Sequence, residues 1–137
     1  MARKPPTTHS PNSERNYVAI GLAYARDVVD GKIVAGKLAK LACARHLKDL
    51  DRRFDWPFEF HVKPACDVCE FIENLPHVEG QWATPTIRLE PVQIFILTTI
   101  FGWRRKVDGG RRFSLVYIEA ARKFAKSTLS AAVSLYC

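Results

Sequence analysis

The chain has 137 residues, and 47% of them are hydrophobic and 11% aromatic, enough for one packed domain and too much for a chain disordered throughout. Its longest apolar runs, around 92–100 and 131–137, fall short of the roughly 18 residues of a membrane span. The net charge of +7 favours an anionic partner such as DNA, RNA or a nucleotide.

Residues 1–16 hold three of the eight prolines among Ser, Thr and Asn and read as a flexible tail. They contain basic residues but no apolar core of the secretory kind, so the expected compartment is reducing and intracellular. Tyr17, Ile20, Tyr24 and Val28 recur at helical spacing, and Asp30-Gly31 ends that helix. A second helix is predicted from about Gly36 to Phe54, with Cys43, Leu47, Leu50 and Phe54 as its apolar stripe. Trp56-Pro57-Phe58 breaks it. A third, starting near Pro64, buries Ala65, Val68, Phe71, Ile72 and Leu75 and stops at Pro76. Residues 80–85 read as a loop. Leu89 to about Phe101 is apolar nearly all round, which predicts a buried helix. Trp103 to Arg112 reads as a hairpin turning at Asp108-Gly109-Gly110. Phe113–Ile118 has strand composition, and a helix is expected from Leu129 onward. The chain stops at Leu135-Tyr136-Cys137 inside that helix, which points to a fragment or truncated product.

Strand, a turn closing in Lys126-Ser127-Thr128, then helix is the layout of a P-loop. Backbone N–H groups in such a turn wrap phosphates, and the helix N-terminus adds partial positive charge. Lys126 would reach the β/γ-phosphates, Ser127 would hold Mg²⁺, and Thr128 would stand beside them. The pattern wants glycine at 120 and 125, where this chain has Ala120 and Ala125. A Cβ at a positive-φ position costs about 1 kcal/mol. The bland alternative is an ordinary strand-to-helix turn with a solvated Arg122-Lys123 pair.

Four stretches carry a resemblance: 24–33 (YARDVVDGKI), 41–50 (LACARHLKDL), 89–105 (LEPVQIFIL through FGWRR) and 117–128 (YIEAARKFAKST). In order and spacing, residues 17–137 resemble the N-terminal part of the large terminase subunit of tailed double-stranded DNA bacteriophages. The resemblance implies a mainly α N-terminal subdomain at 17–79, lid-like in the family. At 80–137 it implies the start of an α/β P-loop NTPase core with an incomplete sheet. It implies ATP with Mg²⁺ in the complete protein, and double-stranded DNA, the portal protein and the small terminase subunit as partners. It also implies the cytoplasm of a bacterial host as location. A homo-oligomer is left open, and no membrane is expected. Basic residues early in the loop, here Arg122 and Lys123, fit the family habit, and Arg122 or Lys123 would add transition-state charge stabilisation. The family often has Asn-Gly where this chain has Phe124-Ala125. Gln93 resembles the glutamine with which helicase-like ATPases pair adenine; on an apolar helix it is otherwise a structural residue.

No apolar run ending in Asp-Glu follows Ser127, and the acidic cluster of a two-metal nuclease is missing. The chain alone is therefore expected to bind nucleotide weakly and not to hydrolyse it. Two rivals remain: a truncated terminase serving as a non-enzymatic binding module, and a basic nucleic-acid-binding domain. For the latter, Arg104, Arg105, Lys106, Arg111 and Arg112 place five cations in nine positions, either a DNA-facing hairpin or a solvated loop. Cys66 and Cys69 with His61 and His77 invite a zinc reading. Their spacing beside a core stripe argues against it, and no zinc is expected. His46 and the three tryptophans read as structural, and Asp27, Asp30, Asp49, Asp51 and Asp55 as solvated helix faces.

Overall fold

The computed structural model describes residues 15–52, 56–75, 88–116, 118 and 126–136, the side chains of 126–129 excepted. Among these residues the chain is mostly helical, with one two-stranded antiparallel sheet.

Helix α1 spans Tyr17–Val29. Asn16 caps it, its side-chain oxygen accepting from the Ala19 N–H at 3.1 Å. The capping residue and Arg15 are thus tied into the fold, where the sequence suggests a tail reaching residue 16; residues 1–14 lie outside the described set. Tyr17, Gly21, Ala25 and Val28 form the buried stripe. Gly21 allows a close crossing: a Cβ there would lie 3.0 Å from Thr98 Oγ1 and 3.3 Å from Phe95 Cα.

Helix α2, Lys37–Leu50, stops short of the expected Phe54. It buries Cys43, His46 and Asp49, so the stripe turned inward is only partly the apolar one. Asp49, expected on a solvated face, is 4% exposed. Polar side chains tolerate such burial when their hydrogen bonds are met, and both His46 and Asp49 have partners. Trp56-Pro57-Phe58, read only as a helix break, leads into strand β1, Phe58–Phe60. Three residues are too few for alternation to show in the sequence.

Helix α3, Val62–Glu73, places Pro64 in its first turn, where no intrahelical N–H bond is lost. Helix α4, Pro91–Gly102, is the central element, packed against α1 and α3. Pro91 opens it, and Glu90 and Gln93 form a reciprocal capping box. Its burial on most sides follows from its largely apolar sequence, with Val92, Ile96 and Ile100 left half-buried along one side.

Strand β2, Trp103–Arg105, pairs antiparallel with β1 in the register Phe58↔Arg105, Glu59↔Arg104 and Phe60↔Trp103. On its other side the chain turns back as the expected hairpin. Gly109 takes φ +70°, a bridge joins Arg104 and Arg111, and the Arg112 N–H donates to Trp103 O at 3.1 Å. The expected strand 113–118 is not found: residues 113–116 and 118 belong to no ladder, and Leu115 is 90% exposed. An extended segment without a neighbour has nothing to bond its backbone to. Helix α5, Lys126–Tyr136, begins three residues before the expected Leu129. Its Ala132 is buried, and its Tyr136 ring packs on Phe71 and Phe101 with centroids 5.3 and 5.4 Å away.

Candidate functional site

The phosphate-binding turn read from the sequence lies mostly outside the described residues: Ala120, Arg122, Lys123 and Ala125 all do. Lys126, Ser127 and Thr128 form the first turn of α5, which contains no acidic residue. A helix N-terminus with Lys, Ser and Thr and no carboxylate suits an anion electrostatically.

Gln93 is buried at the third position of α4, 8% exposed. Its Oε1 accepts from the Glu90 N–H at 2.9 Å. The capping box therefore fixes the amide's orientation, and it does so through the oxygen.

Between α4, the segment 111–118 and α5 runs an open cleft of about 450 Å³. Ile96, Ile100, Phe113, Val116, Ile118 and Val133 give it an apolar lining, with Ser130, Ser134 and Arg111 at its polar points. Gln93 does not line it. Such walls suit apolar side chains rather than phosphates.

The five hairpin cations separate into two groups. Arg105 and Lys106 are exposed, with Arg105 paired to Asp108 at 2.9 Å. Arg111 is exposed over the Phe101 ring, 5.3 Å from its centroid. Arg104 is half-buried and donates from Nε to Phe101 O at 3.1 Å. Arg112 departs from the DNA-facing expectation: its guanidinium is drawn inward to Asp49, Nη1 to Oδ2 2.9 Å, with both side chains nearly inaccessible. Four rings surround it, those of Phe58, Phe113, Trp103 and Trp56, with centroids at 4.8, 4.9, 5.2 and 5.3 Å. A cation held by an acid and four aromatic faces contributes to packing. Trp56 and Trp103 thus act as anchors; Trp82 lies outside the described residues.

Beside this cage, His46 packs edge-on to Phe60, Phe95 and Trp103. The Trp103 indole N–H donates to its Nδ1 at 3.1 Å. Since the indole only donates, His46 must be neutral at Nδ1. Burial lowers its pKa from 6.5 to about 4; Asp49 opposes this, and Arg45 and Arg112 add to it. The unfolded chain takes up the proton near pH 6.5, and the folded chain resists it down to about 4. Stability is therefore full above pH 6.5 and falls as the pH drops toward 4, by about 2–3 kcal/mol at this residue. Urea melts at pH 7 and pH 4.5 check this: His46→Asn should show a smaller loss between the two than the parent, and an equal loss would refute it.

Glu73, which sequence reasoning did not single out, is fully buried at the end of α3. It forms an ion pair with Arg15, accepts from Tyr17 Oη at 3.1 Å and from the Leu89 N–H at 3.2 Å. Burial, then the neighbouring carboxylate, holds the Tyr17 phenol far above its usual range. A glutamate one turn beyond Cys69 on an apolar stripe was the available signal.

Among the described residues no three His, Cys, Asp or Glu side chains converge to hold a metal ion. Cys66 is half-buried and Cys69 buried on α3, and desolvation pushes both thiols up, away from the thiolate a metal requires. His61 pairs with Glu59 at 2.7 Å, and His77 lies outside the described set. No helix among the described residues is long and apolar enough to cross a membrane.

Residues 91–137, from the first residue of α4 onward, match the family model of the terminase large subunit, ATPase domain. Over these residues the match bears out the likeness to the N-terminal part of the large terminase; residues 17–90 lie outside it. No curated protein and no solved structure matches the chain.

Proposed function

We propose that this chain is the nucleotide-binding N-terminal portion of a large terminase, the motor that drives double-stranded viral DNA into a capsid. The family match over 91–137 is the observation that carries the reading. It spans α4, the basic hairpin, the Lys-Ser-Thr turn and α5, the parts that a triphosphate site would need in that order.

In this reading Lys126 neutralises the outer phosphates, and the backbone N–H groups opening α5 donate to phosphate oxygens. Ser127 offers its hydroxyl to Mg²⁺. Arg122 and Lys123 place further positive charge on the loop, and Gln93 is the residue assigned to the adenine edge. In the complete protein, bound Mg²⁺-ATP would supply the phosphoanhydride whose cleavage drives translocation. The acid-free first turn of α5 fits such a ligand, while alanine at 120 and 125, where the pattern wants glycine, should weaken the grip. Arg104, Arg105, Lys106 and Arg111 supply salt-sensitive, sequence-independent contact with DNA. Portal and small-subunit partners, and a bacterial host cytoplasm, follow from the same family.

Titration of the full chain with a non-hydrolysable Mg²⁺-ATP analogue tests it. Lys126→Ala should weaken binding about tenfold or more, the loss of one charge-assisted phosphate contact. Equal affinity in both proteins would remove Lys126 from the role. No binding by either, with duplex DNA still bound, would favour a basic nucleic-acid-binding domain instead.

A further inference from the structure

Helix α2 presents an outer face that the rest of the described chain leaves uncovered, apart from Arg45, whose guanidinium lies over the Phe113 ring 5.2 Å from its centroid. Residues 36–41 are exposed in succession, with Leu38 at 66% and Leu41 at 56%. At about 100° per residue, Lys37, Leu38, Lys40, Leu41, Arg45 and Lys48 share one arc of roughly 160°, opposite the buried Cys43, His46 and Asp49. All six are exposed. Asp49 is the acid that α2 contains, and it is turned inward to Arg112. Within α2 the outer arc is therefore four cations, two leucines and Ala44 without a carboxylate among them, and the exposed C-cap Asp51 follows at its far end. Val34, in the loop leading into α2, is fully exposed and adds another apolar side chain at that end.

We propose that this face docks an acidic amphipathic helix of a partner protein. Charge selects the partner: Lys37, Lys40, Arg45 and Lys48 call for flanking Asp or Glu. The leucines select its form, because a helix with an apolar stripe fills the space between flanking charges as in other helix-to-helix recognition. Duplex DNA would use the cations but gain nothing from Leu38 and Leu41. An anionic membrane would need a wider apolar face than two leucines on a helix whose opposite side is committed to the protein core.

The test is NMR titration of the full chain with a synthetic Glu/Leu peptide of roughly 14–18 residues, the length that spans α2, its leucines at i, i+3, i+4 and i+7. Parallel titrations use the same peptide with Lys replacing Glu, a short DNA duplex, and phosphatidylglycerol vesicles. The Glu/Leu peptide should bind and shift amides within 37–48. The double substitution Leu38→Ser, Leu41→Ser should weaken it about tenfold or more, with the thermal melt unchanged. The proposal is overturned if that peptide does not bind, if the serine variant binds it equally well, or if the lysine peptide binds as well. Duplex or vesicle binding that maps to this face more tightly than the peptide would overturn it too.

Discussion

Glu73→Ala is expected to destabilise the chain by about 3–5 kcal/mol, the range for breaking a buried ion pair from one side. The carboxylate joins three stretches distant in sequence: Arg15 and Tyr17 at the start of α1, the end of α3, and Leu89 just before α4. Truncation leaves the Tyr17 hydroxyl and the Leu89 N–H without that acceptor in a region closed to water, and the partly exposed Arg15 without its ion-pair partner. Each lost acceptor costs more than the bond itself contributed, because water cannot replace it. Glu73→Gln keeps the shape and one acceptor oxygen, so it should cost less than alanine. Arg15→Ala should also cost less, since Glu73 would retain two neutral donors and the Arg15 side chain is partly exposed. Urea denaturation of the three variants measures the order. A Glu73→Ala protein within about 1 kcal/mol of the parent would show that water reaches the carboxylate in solution.

The helices were legible because their signals are local. Tyr17, Ile20, Tyr24 and Val28 announce α1 by spacing, and Asp30-Gly31 announces its end. Apolarity on every side announces α4 as the central helix. Strand β1 was not legible, since its existence depends on β2, over forty residues away in the chain. Residues 113–118 erred in the other direction: their composition favours a strand, but a strand is a relation between two segments, and the described chain supplies no second one. The buried polar groups were hidden for a similar reason. Asp49 and Arg112 each look like ordinary surface charges, and only the fold brings them to 2.9 Å. Glu73 and Arg15 are equally remote in sequence. At the candidate site the sequence supplies residue types and order, and the structure shows that Lys126, Ser127 and Thr128 open α5. The geometry of Arg122 and Lys123 lies outside the described residues.

Arg112→Ala should lower stability by about 3–5 kcal/mol, while Arg105→Ala and Lys106→Ala stay within about 0.5 kcal/mol of the parent. All three are cations of one hairpin, and the difference lies in their surroundings. Arg105 and Lys106 face solvent, where ion pairs are worth little. Removing Arg112 strands the Asp49 carboxylate, left only with the longer contact to Arg52 at 3.8 Å. It also opens a void among four rings. Arg112→Lys retains the charge but not the planar group that can stack on several faces at once, so an intermediate loss is expected. Pairing Arg112→Ala with Asp49→Asn should recover part of the loss, because the second change removes the unpaired charge. The same series separates packing from DNA contact. A phosphate-binding arginine, once neutralised, reduces the salt dependence of DNA affinity by about one counterion and leaves the melt in place. Arg112 should do the reverse: a large shift in the melt, and a DNA salt slope unchanged under conditions where the variant remains folded. A stable Arg112→Ala protein with a shallower salt slope would return this arginine to the DNA-facing set and empty the cage of its structural meaning.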